Sequence, residues 1–159
     1  MCYNNCMKLI QLGGNRYKNK PVRGYAMVDD DDFDYLNKYK WCLTTNGYAD
    51  NGELGLMHNI VIKGKGVDHV NHNKIDNRKS NLRFATQSQN TMNSTKRSNS
   101  LSKYKGVGWN AMARKWQVVV SKKGTHNYLG LFVSEIDAAL AYNAAAKELF
   151  GEFALLNVV

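Results

Sequence analysis

Over the first third of the chain, β-branched and aromatic residues alternate with Gly and Asn turns, a pattern that predicts short strands over Pro21–Val28 and Gly47–Ala49. Asp32–Lys40 reads as one short helix, with aspartates at its positive end and lysines at its negative end. The Asp29–Asp32 run is therefore read as a helix-starting turn rather than a metal cluster, and His58–Ile62 as a strand. From Tyr104 the period changes. Tyr104–Trp109, Lys115–Ser121 and Asn127–Phe132 read as three strands, joined by Asn110–Arg114 and by a hairpin turn over Lys122–Thr125. In the middle strand Trp116, Val118 and Val120 point one way and Gln117, Val119 and Ser121 the other. Ser134–Asp137 resembles a capping box and opens an Ala-rich helix that ends at Phe150–Gly151. Ala138, Ala141 and Ala145 are expected on one face with Leu149, letting that helix lie close against the Trp116–Val118–Val120 layer. Asn93–Lys103 holds a single apolar side chain, cannot bury a core and reads as a basic tether, ~36 Å long if extended.

With 159 residues, 43% apolar and 22% charged, the chain has room for one ordinary domain or two small ones, and a disordered or fibrous protein is excluded. No window approaches the ~18 consecutive apolar residues of a membrane span. The first residues carry no signal-peptide pattern, so an intracellular, non-secreted protein is expected. Cys2, Cys6 and Cys42 are odd in number and lack CxxC pairs, which excludes a disulfide framework and a four-cysteine zinc site. The net charge is +9, and its distribution says more: residues 77–134 hold eleven Lys/Arg and no acid. Interleaved with Tyr104, Trp109, Trp116 and Tyr128, that stretch points to a polyanion partner. Charge alone does not choose between DNA, RNA and an acidic membrane.

The segment Val67–Arg83 joins an acid–imidazole pair, Asp68–His69, to many neutral amides and several cations. A carboxylate can hold a hard divalent cation and a neutral imidazole can deprotonate water, a combination suited to metal-assisted phosphodiester hydrolysis. An EF-hand fails at Val70, and an all-histidine zinc site would need His58, His69 and His72 to converge. Polar residues that only build tight turns fit the composition equally well.

Val67-Asp68-His69-Val70-Asn71, Ile75-Asp76-Asn77-Arg78, Ser80-Asn81-Leu82-Arg83 and Gln89-Asn90 fall in one order that closely resembles the HNH endonucleases of phage and intron origin. The resemblance implies a ββα-metal finger: strand, loop, strand and helix around one divalent ion, Mg²⁺ or Mn²⁺. By that resemblance His69 is the general base, Asp68 and Asn90 bind the metal, and Asn81 is the middle Asn that fixes the loop through backbone hydrogen bonds. Asn93, one turn beyond Asn90, is the fallback ligand. Arg78 and Arg83 are expected either to hold phosphate or to pair with Asp76. This chain departs from the pattern at His72, where relatives have Gly or Asp, at His58–Asn59, where they have His–Arg, and in a short Lys63–Gly66 connection.

Tyr104-Lys105-Gly106-Val107, Lys115-Trp116, Tyr128-Leu129-Gly130-Leu131-Phe132, the Ala138–Ala146 run and Ala154-Leu155-Leu156-Asn157 resemble the AP2 DNA-binding domain in order. That resemblance implies DNA binding by the sheet, through Lys105, Trp109, Asn110, Arg114, Ser121, His126 and Tyr128; by their charge, Lys122 of the acid-free sheet and Lys96 and Arg97 of the basic tether are expected to add contacts.

The expected architecture is α+β. A β-rich segment (1–66) precedes the ββα-metal motif (67–92), a basic linker (93–103) and a three-stranded antiparallel sheet packed on one helix (104–159). The expected function is a homing-type endonuclease that hydrolyses double-stranded DNA to 5′-phosphate and 3′-hydroxyl ends. The rival reading is a sequence-specific DNA-binding regulator with a non-catalytic HNH segment; RNA binding is a third, resting on charge alone. With no heptads and no large apolar stripe, a monomer that nicks one strand is the expected state.

Overall fold

In the computed structural model, residues 6–13, 21–95, 101–122 and 124–159 are described; Cys2, Lys96, Arg97 and Lys123 lie outside them. The chain divides into two compact units, Met1–Thr86 and Gln87–Val159. Among the described residues no helix is long and apolar enough to cross a membrane.

The first unit is built on a four-stranded sheet in the order β2-β1-β3-β4, with β1 Met7–Gly13, β2 Gly24–Asp29, β3 Trp41–Leu43 and β4 Ala49–Asp50. Alternation on β1 buries Ile10 and Leu12, which pair with Ala26 and Gly24 across an antiparallel ladder. β1 is an addition to the sequence reading. Its apolar residues Leu9 and Ile10 are adjacent, which hides the two-residue period, and β3 is too short to carry one. Helix α1, Asp30–Leu36, starts two residues earlier than expected. Asp29 at its start is buried and accepts from the Lys79 amide at 2.7 Å, while Asp30 pairs with Lys8 and Asp32 with Lys79.

One expected strand is a helix. Met57–Val61 forms α2, because Met57, His58 and Val61 are the buried positions and that spacing suits a helical turn. Tertiary burial here overrides the β preference of Ile60, Val61 and Ile62. Lys63, with φ 55°, and the glycines that follow end it. The core joins Ile10, Leu12, Ala26, Val28, Leu36, Trp41, Ala49, Met57, Val61 and Leu82, with the Trp41 indole donating to the Leu36 carbonyl at 2.8 Å. Two further strands, β5 Val67–His69 and β6 Leu82–Phe84, pair antiparallel.

In the second unit α3, Gln87–Met92, precedes an antiparallel sheet β7-β8-β9: β7 Val107–Asn110, β8 Lys115–Lys122 and β9 Thr125–Phe132. Helix α4, Glu135–Phe150, packs against β8 and β9, and the Ser134 hydroxyl caps it at the Asp137 amide. The buried face of α4 is Ala138, Ala139, Tyr142, Ala146 and Phe150, rotated from the expected Ala138–Ala141–Ala145–Leu149 row. Tyr142 and Phe150 supply the volume that the alanines lack, so they set the helix rotation. Val118 and Val120 are fully buried beneath it, whereas Trp116 is half-buried. The end of the expected tether is also part of this unit. Ser102 is buried and donates to Glu135 at 2.7 Å while accepting from the Tyr104 amide.

Gly106 is required by its surroundings. It has φ +74°, and a Cβ there would meet the Tyr142 ring at 2.1 Å and the Val119 carbonyl at 2.9 Å. Left-handed strain and overpacking together predict that Gly106→Ala loses about 2–4 kcal/mol of unfolding free energy, read by urea titration.

Candidate active site and sheet face

Strands β5 and β6 set Asp68 opposite Arg83 and His69 opposite Leu82, and the connection between them is held from inside. Asn81 bridges its two halves, donating from Nδ2 to the Asp76 carbonyl at 2.8 Å and accepting the Asn71 amide at 2.9 Å. The Asp76 carboxylate is almost fully buried and takes both arms of Arg78, at 2.8 and 2.7 Å, with a third bond from Asn71 at 2.9 Å. The hydrogen-bonded Arg78 guanidinium holds that carboxyl below the usual range. Backbone bonds from Met27 to Ile75 and from Asn77 to Met27, each 2.8 Å, fasten the connection to β2. His72 turns the chain with φ +62°, a left-handed conformation uncommon outside glycine.

His69 and Asn77 are both buried, at 4% and 1% exposure, and His69 Nε2 lies 3.2 Å from Asn77 Oδ1. The Asn77 amide donates from Nδ2 to Met57 Sδ and to the Ile75 carbonyl, which leaves its oxygen for the imidazole. That arrangement suits the tautomer with the proton on Nε2. The His58 ring stands edge-on to His69 at 5.0 Å, with Tyr48 at 5.3 Å from His58 and 5.9 Å from His69. Burial pushes His69 below its ordinary pKa despite the Asn77 contact, which acts the other way. Burial first, and the neighbouring His69 second, push His58 down to about 4. Asn77 and the His58–Tyr48 packing carry no role in the sequence reading. The adjacency of Asn77 to the paired Asp76 and Arg78 was the available signal for the first, and the second had none.

The two arginines divide between two acids. Arg78 pairs with Asp76, as one expectation held, whereas Arg83 pairs with Asp68 through Nε and Nη2 at 2.9 and 2.8 Å, a partnership not expected. Cross-strand register brings those two together, since residues directly opposite share a face. Asn90 lies on α3, in the second unit, and its Oδ1 is buried without a hydrogen-bond partner among the described residues. Asn93 is buried, and its amide donates to Gln89. Among the described residues no cluster of three or more His, Cys, Asp or Glu is placed to hold a metal. Taken singly, the Asn90 amide oxygen and the Asp68 carboxylate are hard donors of the kind Mg²⁺ or Mn²⁺ takes while keeping several waters, so the chemistry of each residue fits such an ion.

On the second unit's sheet, Gly108 pairs with Gln117, Val119 with Tyr128 and Ser121 with His126, so Asn110, Ser121, His126 and Tyr128 share the face away from α4. Asn110 donates to Gln117 at 3.1 Å and Ser121 meets His126 Nδ1 at 2.7 Å. Trp109 lies on the opposite face, edge-on to Trp116 at 5.0 Å, and Arg114 sits exposed in the β7–β8 turn with φ 51°. The Lys105 and Lys122 ammonium groups are directed to helix ends, onto the Met92 and Leu149 carbonyls.

His58 and His69 stay neutral in the folded chain, whereas an unfolded chain takes up those protons near pH 6.5. Stability should be complete above pH 6.5 and fall as pH drops toward 4, His58 alone contributing about 2–3 kcal/mol of the loss. Urea titrations from pH 8 to 4.5 should show this decline, flattened in His58→Phe.

The HNH endonuclease family matches residues 57–92, the span from α2 through α3. An uncharacterized HNH endonuclease of Acanthamoeba polyphaga mimivirus is 37% identical over 146 residues, covering 85% of this chain and 75% of that protein. Protein 3.8 of Escherichia phage T7 is 30% identical over 95 residues, 59% of this chain and 77% of that protein. No solved structure matches. With the ββα order of β5, β6 and α3 inside the matched span, and a relative aligned over most of both lengths, this chain belongs to the HNH endonucleases.

Proposed function

We propose that this protein is a divalent-metal-dependent endonuclease of homing type that hydrolyses double-stranded DNA, with a C-terminal AP2-like sheet that positions it on its site. The observation that carries the reading is a buried His69 whose Nε2 lies 3.2 Å from Asn77 Oδ1, next in sequence to Asp68. His69 takes the proton from the attacking water, and the Asn77 oxygen beside its ring stabilises the imidazolium that forms. Burial keeps the resting ring neutral and ready to accept, while Asn81 holds the connection that follows it in place. Asp68 and Asn90 would be the oxygen donors for the cation. Its chemistry when bound is charge stabilisation on the phosphate and the leaving 3′ oxygen.

Three antiparallel strands with a helix on one face support the AP2-like reading of the C-terminal residues. The open face offers Asn110, Ser121, His126 and Tyr128, groups that can meet base edges and sugar–phosphate oxygens. Arg114 in the adjoining turn, and Lys96 and Arg97 in the linker, are proposed phosphate contacts.

Supercoiled plasmid carrying flanking genomic DNA should be nicked with Mg²⁺ and left intact with EDTA. His69→Ala should bind that DNA with unchanged affinity and cut it about 10²–10⁴-fold more slowly. Cleavage at the wild-type rate would remove His69 from the mechanism, and gel shifts without any nicking by the wild type would favour the regulator reading.

A further inference from the structure

The lysine of Tyr104-Lys105-Gly106-Val107 does not offer its charge to the open face of the sheet. Its Nζ donates to the carbonyl of Met92, the last residue of α3. The last carbonyls of a helix have no partner within it, and a cation there also meets the negative end of the helix dipole. Burial lowers the Lys105 pKa to about 8, so the group keeps its charge at neutral pH.

The backbone of Lys105 is held just as firmly. Its amide donates to Asn157 Oδ1 at 2.7 Å, and its carbonyl accepts from Asn157 Nδ2 at 3.1 Å. Asn157 is tied in turn to Asn143 of α4 by a reciprocal pair of bonds at 2.7 and 2.8 Å. Gly106, closed in by Tyr142, allows no sideways shift at the next position. A continuous line of hydrogen bonds thus runs from α4 through Asn157 and Lys105 to the end of α3. Met92 is two residues beyond Asn90, whose Oδ1 is buried without a hydrogen-bond partner among the described residues. A helix of six residues has little stability of its own, so an outside clamp decides whether it stays wound.

We propose that Lys105 is a positioning residue that anchors the C-terminal end of α3 to the sheet-and-helix unit and so fixes the Asn90 side chain, instead of contacting DNA phosphate. The part concerning Asn90 rests on the reading of that residue as a cation donor; the clamp itself does not.

The test uses the full chain with Lys105→Met, which keeps the stem and removes the donor, and Lys105→Gln if the first does not fold. Hydrogen exchange should be about tenfold faster at the α3 amides of the variant; unchanged exchange overturns the clamp. Binding of Mn²⁺ alone, followed by calorimetry, should weaken about tenfold, as for loss of an outer-shell support. Unchanged Mn²⁺ affinity in a variant with faster exchange overturns the link to Asn90. DNA affinity and its salt dependence should match the wild type, and a salt slope smaller by about one identifies Lys105 as a phosphate contact and overturns the proposal. Wild-type protein that neither binds Mn²⁺ nor cuts DNA would sink the nuclease reading, and the exchange comparison would still decide the clamp.

Discussion

The candidate active site depends on the full pairing of polar groups that the β5–β6 connection buries. Asp76, Asn77 and Asn81 are each at most 6% exposed, and in that setting an unpaired amide or carboxylate would cost about 1–3 kcal/mol or more. The geometry satisfies them through one another and through backbone. Asn81 joins the two halves of the connection, Asp76 gathers Arg78 and Asn71, and Asn77 serves both His69 and Met57. A network of this kind either closes completely or weakens as a whole. It therefore specifies one conformation for the connection that follows His69.

That network is not self-supporting. The β2 strand bonds to Ile75 and Asn77, and Asp29 receives the Lys79 amide, so the N-terminal sheet serves as the wall on which the connection is mounted. The run Asp29–Asp32 takes part twice, starting α1 and holding Lys79 by backbone and side chain. Tyr48 and His58 complete the dry side of the His69 ring. Dryness is what lowers the imidazole pKa, since burial disfavours the charged form, and the same dryness makes the fold sensitive to acid.

Charge in this chain is used locally before it is available to a partner. Arg78 and Arg83 neutralise Asp76 and Asp68, and Lys105 and Lys122 cap helices. A net charge of +9 consequently overstates the number of cations ready for phosphate. The open sheet face carries Asn110, Ser121, His126 and Tyr128, with Lys115 opposite Asn110 as an exposed cation on that face.

The linear order of residues by itself determined the three C-terminal strands with their helix, because these follow from spacing of a few residues, whereas the ββα succession and the grouping of Asp68, His69, Asn81 and Arg83 were legible through the resemblance to HNH endonucleases. It also set the cap at Ser134, a contact between residues three apart. Only tertiary structure decided that Met57–Val61 winds as a helix, that α4 turns Tyr142 and Phe150 inward, which acid each arginine meets, and that Lys105 reaches back to α3. The physical reason is common to all four. Each depends on burial or pairing between segments distant in the chain, and local propensities worth a few tenths of a kcal/mol yield to contacts worth more.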